Sequence, residues 1–199
     1  MISLIDLSDA PPYKKFNKFY KLALKREQKN IEAISISSYD FKKNEPNCRF
    51  VNLKFIINDE WIFFSNYLSP KANEFDKNPN IAATFFWQNI NCQIRIKAKI
   101  CKTNYKFSDD YFNKRDKAKN ILAITSKQSK IIASYDDFLD VYDKSMKSIT
   151  NPRTRPEYWG GYSFKPYYFE FWQGHNDRIN KREAYILEGT NWENFFLQP

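Results

Sequence analysis

The stretch from Cys92 to Cys101 limits the fold more than any other part of the chain. Ile94, Ile96, Ala98 and Ile100 alternate with Gln93, Arg95, Lys97 and Lys99 without a break. A period of two puts the apolar side chains on one face and the polar ones on the other, the pattern of an antiparallel strand with one face in a core. Phe50 to Ile57 repeats it: Val51, Leu53, Phe55 and Ile57 fall on one face, Asn52 and Lys54 on the other. Asn58-Asp59 offers a turn into a second strand, Trp61 to Ser65, so the two predict a hairpin. Ile31 to Ser38 and Ile81 to Trp87 read as further strands, and Asp40 to Asn47, which contains Pro46, reads as a polar turn.

Helices lie between these strands. Phe16, Phe19, Tyr20, Ala23 and Leu24 recur at helical spacing and predict an amphipathic helix from Lys14 to about Lys29. Ser69-Pro70 suits an N-cap followed by the first helical position. The free N–H groups there, with Lys71, would favour an anion; an ordinary capped surface helix has the same signature. Ser108 with Asp109 and Asp110 predicts another helix start, which places Tyr111, Arg115 and, if the helix continues, Lys119 on one face. That face fits either a phosphate or a solvated surface. Asp136 to Lys147 reads as a helix with Phe138, Val141, Tyr142 and Ser145 or Met146 inward. Short strands follow Pro156. The sum is an α+β chain, mainly antiparallel β, most economically a closed or partly open barrel with peripheral helices.

Composition narrows the function classes. At 199 residues, 42% hydrophobic and 18% aromatic, the chain suits a single domain with a sizeable core. No apolar run reaches the roughly 18 residues that a membrane helix needs, and Met1 to Pro12 does not read as a signal peptide. Cys48, Cys92 and Cys101 form no CxxC pair, so neither a disulfide framework nor a metal site is expected; they read as buried or incidental thiols in a reducing cytoplasm. The net charge of +9 comes from scattered lysines without a nucleic-acid motif, so it fits small anionic ligands as well as nucleic acid.

Trp159-Gly160-Gly161-Tyr162, then Glu170-Phe171-Trp172-Gln173-Gly174, then Arg178-Ile179-Asn180-Lys181-Arg182 form a series of blocks, with Trp192 and Leu197-Gln198-Pro199 closing the chain. Upstream stand Arg49-Phe50-Val51-Asn52-Leu53-Lys54, Phe64-Ser65-Asn66, Ser69-Pro70-Lys71-Ala72 and Ser126-Lys127-Gln128-Ser129. In order and spacing these resemble the pyridoxamine 5′-phosphate oxidase family from about Pro12 to Pro199, leaving roughly residues 1–12 as a flexible tail. The resemblance implies an FMN-binding split β-barrel that forms a cytoplasmic homodimer, with residues 159–199 serving dimerisation and the active site and a flavin at each end of the subunit interface. It implies Arg49, Lys71, Gln128 and Ser129 around the FMN phosphate or ribityl chain. Phe50, Val51, Asn52, Leu53, Lys54, Phe64 and Ser65 would flank the flavin, and Gln93, Trp172 and Arg182 would complete its site. Lys54, Tyr111, Arg115 and Lys119 would hold the substrate phosphate, while Arg178 and Asn180 would face the substrate ring. The implied reaction oxidises the 4′ carbon of pyridoxamine or pyridoxine phosphate, with dioxygen as final acceptor. A relative acting on another reduced substrate, as in phenazine biosynthesis, and a protein that binds FMN or pyridoxal phosphate without turnover are the alternatives.

Four positions depart from the family pattern. Pro70 and Cys92 stand where arginines are usual, and Lys119 replaces a serine. Asn180 takes the place of a histidine, and asparagine cannot titrate. The chain's only histidine, His175, lies three residues before Arg178 and reads as a loop-surface residue.

Overall fold

A computed structural model describes residues 1–199. Ten strands form one sheet, and five α-helices decorate it. β1 (Ser3–Ile5) is followed by α1 (Pro11–Lys25), β2 (Ala33–Asp40), β3 (Glu45–Asn52), β4 (Phe55–Ile57), β5 (Glu60–Asn66) and α2 (Pro70–Lys77). Next come β6 (Asn80–Trp87), β7 (Cys92–Lys102), α3 (Tyr105–Lys114), α4 (Lys117–Thr125) and α5 (Tyr135–Ser148). β8 (Trp159–Gln173), β9 (Lys181–Glu188) and β10 (Asn191–Leu197) complete the chain. The strand order is β1-β4-β5-β8-β7-β6-β2-β3, all antiparallel except β1 with β4.

β8 organises the sheet. It runs 15 residues, where short strands were expected after Pro156. Along one edge Tyr162–Gln173 pair with β7; along the other, Trp159–Phe164 pair with β5 and Tyr168–Gln173 with β9. The change of partner falls at Pro166, which has no N–H to give a ladder, and at a register shift opposite Lys97/Ala98. The sheet therefore splits there into two lobes that share one strand.

The strictly alternating stretch behaves as its pattern requires, since Ile94, Ile96, Ala98 and Ile100 of β7 are all buried. α1 closes the core from the other side, with Phe16, Phe19, Tyr20 and Ala23 buried. Phe16 packs its ring 4.6 Å from Trp61 and 5.7 Å from Trp87.

Several boundaries differ from the sequence expectation. α1 starts at Pro11 and stops at Lys25, where Glu27 takes a left-handed φ of 53°. The N-terminus is not a free tail: Ile2 is buried and Ser3–Ile5 pair with Phe55–Ile57. The Phe50–Ile57 alternation breaks at Leu53-Lys54, where the Lys54 N–H donates to the Ile62 carbonyl and the Lys54 carbonyl accepts from Ser3 N–H. That step shifts the phase by one residue, so Leu53 and Ile56 reach the core, and Phe55 and Ile57 lie half-buried. The polar turn shrinks to Phe41–Asn44, because Pro46 is tolerated on β3, the edge strand.

α3 begins at Asn104, whose side chain accepts from Phe107 N–H, and not at Ser108, which is buried within the helix. The helix also ends earlier than a shared Tyr111/Arg115/Lys119 face requires: Arg115 has extended ψ, and Asp116 caps a new helix. α5 buries no residue fully, and Val141 faces solvent. No helix is long and apolar enough to cross a membrane.

Candidate functional site

A cleft of about 430 Å³ opens where β3, β5, α2, α3 and the segment after α4 meet. Its volume is that of a small-molecule or cofactor site. Thirteen residues singled out from sequence line it: Arg49, Phe50, Val51, Asn52 and Lys54 along one wall, Phe64 and Ser65 on β5, and Lys71 on α2. Tyr111, Arg115, Lys119, Gln128 and Ser129 complete the set. The helix break at Arg115 does not scatter the last group, because α3 and α4 fold back over the same opening.

Cations gather in two groups. Lys71 is 8% exposed, and its ammonium donates only to Ser69 Oγ (3.1 Å) and Gln128 Oε1 (3.2 Å). Burial, reinforced by Arg49 nearby and partly offset by Glu74, brings its pKa down to about 8. Gln128 Oε1 also accepts from Ser65 Oγ (3.2 Å) and Asn66 N–H (3.3 Å). A hydroxyl, a backbone N–H and an ammonium thus converge on one oxygen, a donor set suited to a phosphate oxygen.

The second group is Lys54, Arg115 and Lys119. Burial lowers the Lys54 pKa, Glu32 works against this, and Lys119 and Arg115 lower it further, so Lys54 senses both neighbouring cations. Arg115 lies 4.9 Å above the Trp159 ring and donates to the Lys119 carbonyl (2.8 Å). Burial also lowers the Arg115 pKa and raises that of Tyr111. Tyr111 stacks on Phe64 at 3.8 Å, which fixes its ring at the cleft wall.

Other residues named from sequence lie elsewhere. Leu53 is fully buried in the core and does not line the cleft. Gln93, Trp172 and Arg182 do not line the cleft; they stand in one register row across β7, β8 and β9. Arg182 is held there by Glu170 Oε1 (2.8 Å) and the Gln198 carbonyl (2.9 Å). Arg178 and Asn180 sit on the β8–β9 loop. Arg178 has φ 63° and donates its N–H to the His175 carbonyl (3.0 Å), while Asn180 Oδ1 accepts from His175 N–H (3.0 Å). Asn180 therefore shapes the loop that carries Arg178.

Asn66, Leu122, Ala123, Ser126 and Trp159 also line the cleft without having been given a role there. Asn66, Ser126 and Trp159 belong to the blocks that carry the resemblance. Leu122 and Ala123 carry no signal in their chemistry. Ser129, like Arg178, holds a left-handed φ (68°), a costly conformation for a residue other than glycine or asparagine.

Residues 22–139 match the family model for pyridoxamine 5′-phosphate oxidase, and residues 159–199 match the model for the pyridoxine 5′-phosphate oxidase C-terminal dimerisation region. The chain belongs to the pyridoxamine 5′-phosphate oxidase family. A pyridoxine/pyridoxamine 5′-phosphate oxidase of Haemophilus influenzae is 35% identical over 190 residues, covering 94% of this chain and 89% of that protein. One from Leptospira interrogans is 30% identical over 202 residues, covering 100% and 94%. Among solved structures, PhzG from Burkholderia lata, in complex with tetrahydrophenazine-1-carboxylic acid, superposes with a TM-score of 0.87 at 20% identity, covering 96% of this chain and 95% of that one. A pyridoxamine 5′-phosphate oxidase-related, FMN binding protein from Nostoc punctiforme gives 0.76 at 12% identity, covering 92% and 97%. These two likenesses bear out the split-barrel fold, and the chain is a member of an oxidoreductase family.

Proposed function

We propose that this protein is an FMN-dependent oxidase of a phosphorylated B6 vitamer, working as a homodimer. The observation that carries the reading is one cleft with two cation groups, one around Lys71 and the other around Lys54, Arg115 and Lys119. A flavin mononucleotide and a phosphorylated substrate bring one phosphate each, and both need a partner where their rings meet. Lys71, Ser65 and the Asn66 N–H suit the cofactor phosphate, because Lys71 is desolvated and has no carboxylate in salt-bridge contact. Lys54, Arg115, Lys119 and the Tyr111 hydroxyl suit the substrate phosphate, and the third cation compensates for the absence of a serine at 119.

FMN, when bound, supplies the two-electron acceptor for the hydride leaving the 4′ carbon, with dioxygen as the final oxidant. The chain's own part is to hold both molecules in register and to exclude water. The row Gln93–Trp172–Arg182 lies outside its own chain's cleft, so we assign it, with Arg178, to the cleft of a second copy. The match of residues 159–199 to a dimerisation region supports that assignment.

The tie between Asn180 Oδ1 and the loop backbone favours a second reading, a flavoenzyme of the same fold acting on another reduced substrate. Visible spectroscopy and oxygen uptake with pyridoxine phosphate and pyridoxamine phosphate separate the two. A yellow protein that consumes oxygen with either phosphate supports the first reading. A yellow protein inert to both leaves the second, and a protein that cannot be loaded with FMN sinks both.

A further inference from the structure

Glu74 is a carboxylate beside a cleft that attracts anions. It lies on α2 three residues after Lys71, is 5% exposed, and has each oxygen occupied. Oε1 accepts from Asn47 Nδ2 (3.1 Å); Oε2 accepts from Ser38 Oγ and from Arg49 Nη2 (3.4 Å). Ser38 Oγ in turn accepts from Arg49 Nη1 (2.6 Å), which also donates to the Ile36 carbonyl (3.2 Å). Both terminal nitrogens of Arg49 are therefore gripped from behind by β2 and α2. Its side chain still lines the main cleft and also a neighbouring cavity of about 330 Å³ shared with Lys71 and Ser129.

By charge alone, a buried carboxylate here opposes anion binding. A site that needed only attraction would be better without it. We propose that Glu74 is a positioning residue: it fixes the Arg49 guanidinium toward the cofactor phosphate, leaving Lys71 as the unpaired charge of that pole. This rests on the FMN reading above. A flexible arginine loses rotamer freedom when it meets a phosphate, and an arginine already clamped does not lose it again.

The two effects of Glu74 have opposite signs, so they can be told apart. FMN and riboflavin, which lacks the phosphate, are titrated into apoprotein of the wild type and of Glu74→Ala, Ser38→Ala and Arg49→Ala, with Glu74→Gln as the isosteric variant in case the alanine does not fold. We expect Glu74→Ala to weaken FMN about tenfold and Ser38→Ala about threefold, with riboflavin changed less than twofold. Neither substitution should weaken FMN further in an Arg49→Ala background. Tighter FMN binding on loss of Glu74 would show that its charge dominates and would overturn the proposal. So would equal losses for FMN and riboflavin, or full losses persisting without Arg49. A wild type that binds FMN no better than riboflavin would instead remove the phosphate pole itself, and the clamp with it.

Discussion

If Lys71 holds the FMN phosphate as proposed, affinity for FMN should depend on pH around 8. Burial holds its pKa at about 8 in the ligand-free protein. A phosphate dianion beside it favours the ammonium form and moves the pKa back up. The phosphate stays dianionic above its second pKa of about 6. Binding above pH 8 must therefore take up a proton, and FMN affinity should fall about tenfold between pH 7 and pH 9. Fluorescence-quenching titration of the apoprotein with FMN reads this directly. Riboflavin should show a flat profile, as should FMN with Lys71→Arg, whose guanidinium stays charged throughout. Lys71→Met should be flat and weak at every pH. Wild-type FMN affinity constant within twofold from pH 7 to pH 9 would refute the argument, because Lys71 would then not be the group that the phosphate charges.

The same burial acts on stability. Because the folded pKa of Lys71 is below the ordinary lysine value of 10.5, the unfolded chain binds more protons between about pH 8 and 10.5. Apoprotein stability should therefore rise across that window by up to about 3 kcal/mol from this group; denaturant midpoints for wild type and Lys71→Met isolate it, the rise being absent in the variant. Ser129→Gly should relieve the left-handed strain and raise the unfolding free energy by about 1 kcal/mol while weakening FMN through loss of the hydroxyl. Opposite shifts in thermal midpoint and FMN titration would confirm it, and shifts of the same sign would not. Arg178→Ala should lower oxygen uptake with pyridoxine phosphate at least tenfold and change FMN occupancy less than twofold, since the proposed role of this residue is at the substrate ring and not at the FMN phosphate; equal loss of both would misplace the residue. Phe16→Ala, at the centre of the Trp61 and Trp87 contacts, should cost about 3–5 kcal/mol in chemical denaturation.

How far the sequence could be read follows from where the pattern is strict. β7 is buried on one face only, so its alternation maps directly onto the structure. Phe50–Ile57 looks the same by eye, yet the chain leaves β3 for β4 within it. The hydrogen bonds of Lys54 to Ile62 and Ser3 come from distant segments and leave no local mark. The N-terminal strand was invisible for the same reason: three residues form β1 only because β4 offers them an edge. Arg49 to Lys54 and Lys71 were placed at the cleft by the family resemblance, because the alternation of the one and the Ser69-Pro70 signal of the other fit an ordinary strand and an ordinary capped helix equally well. Tyr111, Arg115 and Lys119 do line one cleft, though not as one helix face; Asp116 caps a second helix there that i+4 spacing could not reveal. Arg178, Asn180 and Arg182 were legible only as members of a family block. Their spacing alone carries no sign of a cleft.

The switch of β8 from β5 to β9 has a consequence for how this chain can be divided. A region beginning at Trp159 is recognisable as a unit of sequence. It is not a unit that can be cut away. Its first six residues are the partners of β5, and Tyr162–Gln173 are the partners of β7. Truncation before Trp159 would strip both strands of their neighbour and expose Phe63 and Trp61, so the remainder would aggregate through its bare edges before it lost a dimer contact. The boundary between the lobe that holds the cleft and the lobe suited to a second subunit runs through the middle of one continuous strand. Evolution can vary either lobe, but only along a shared spine.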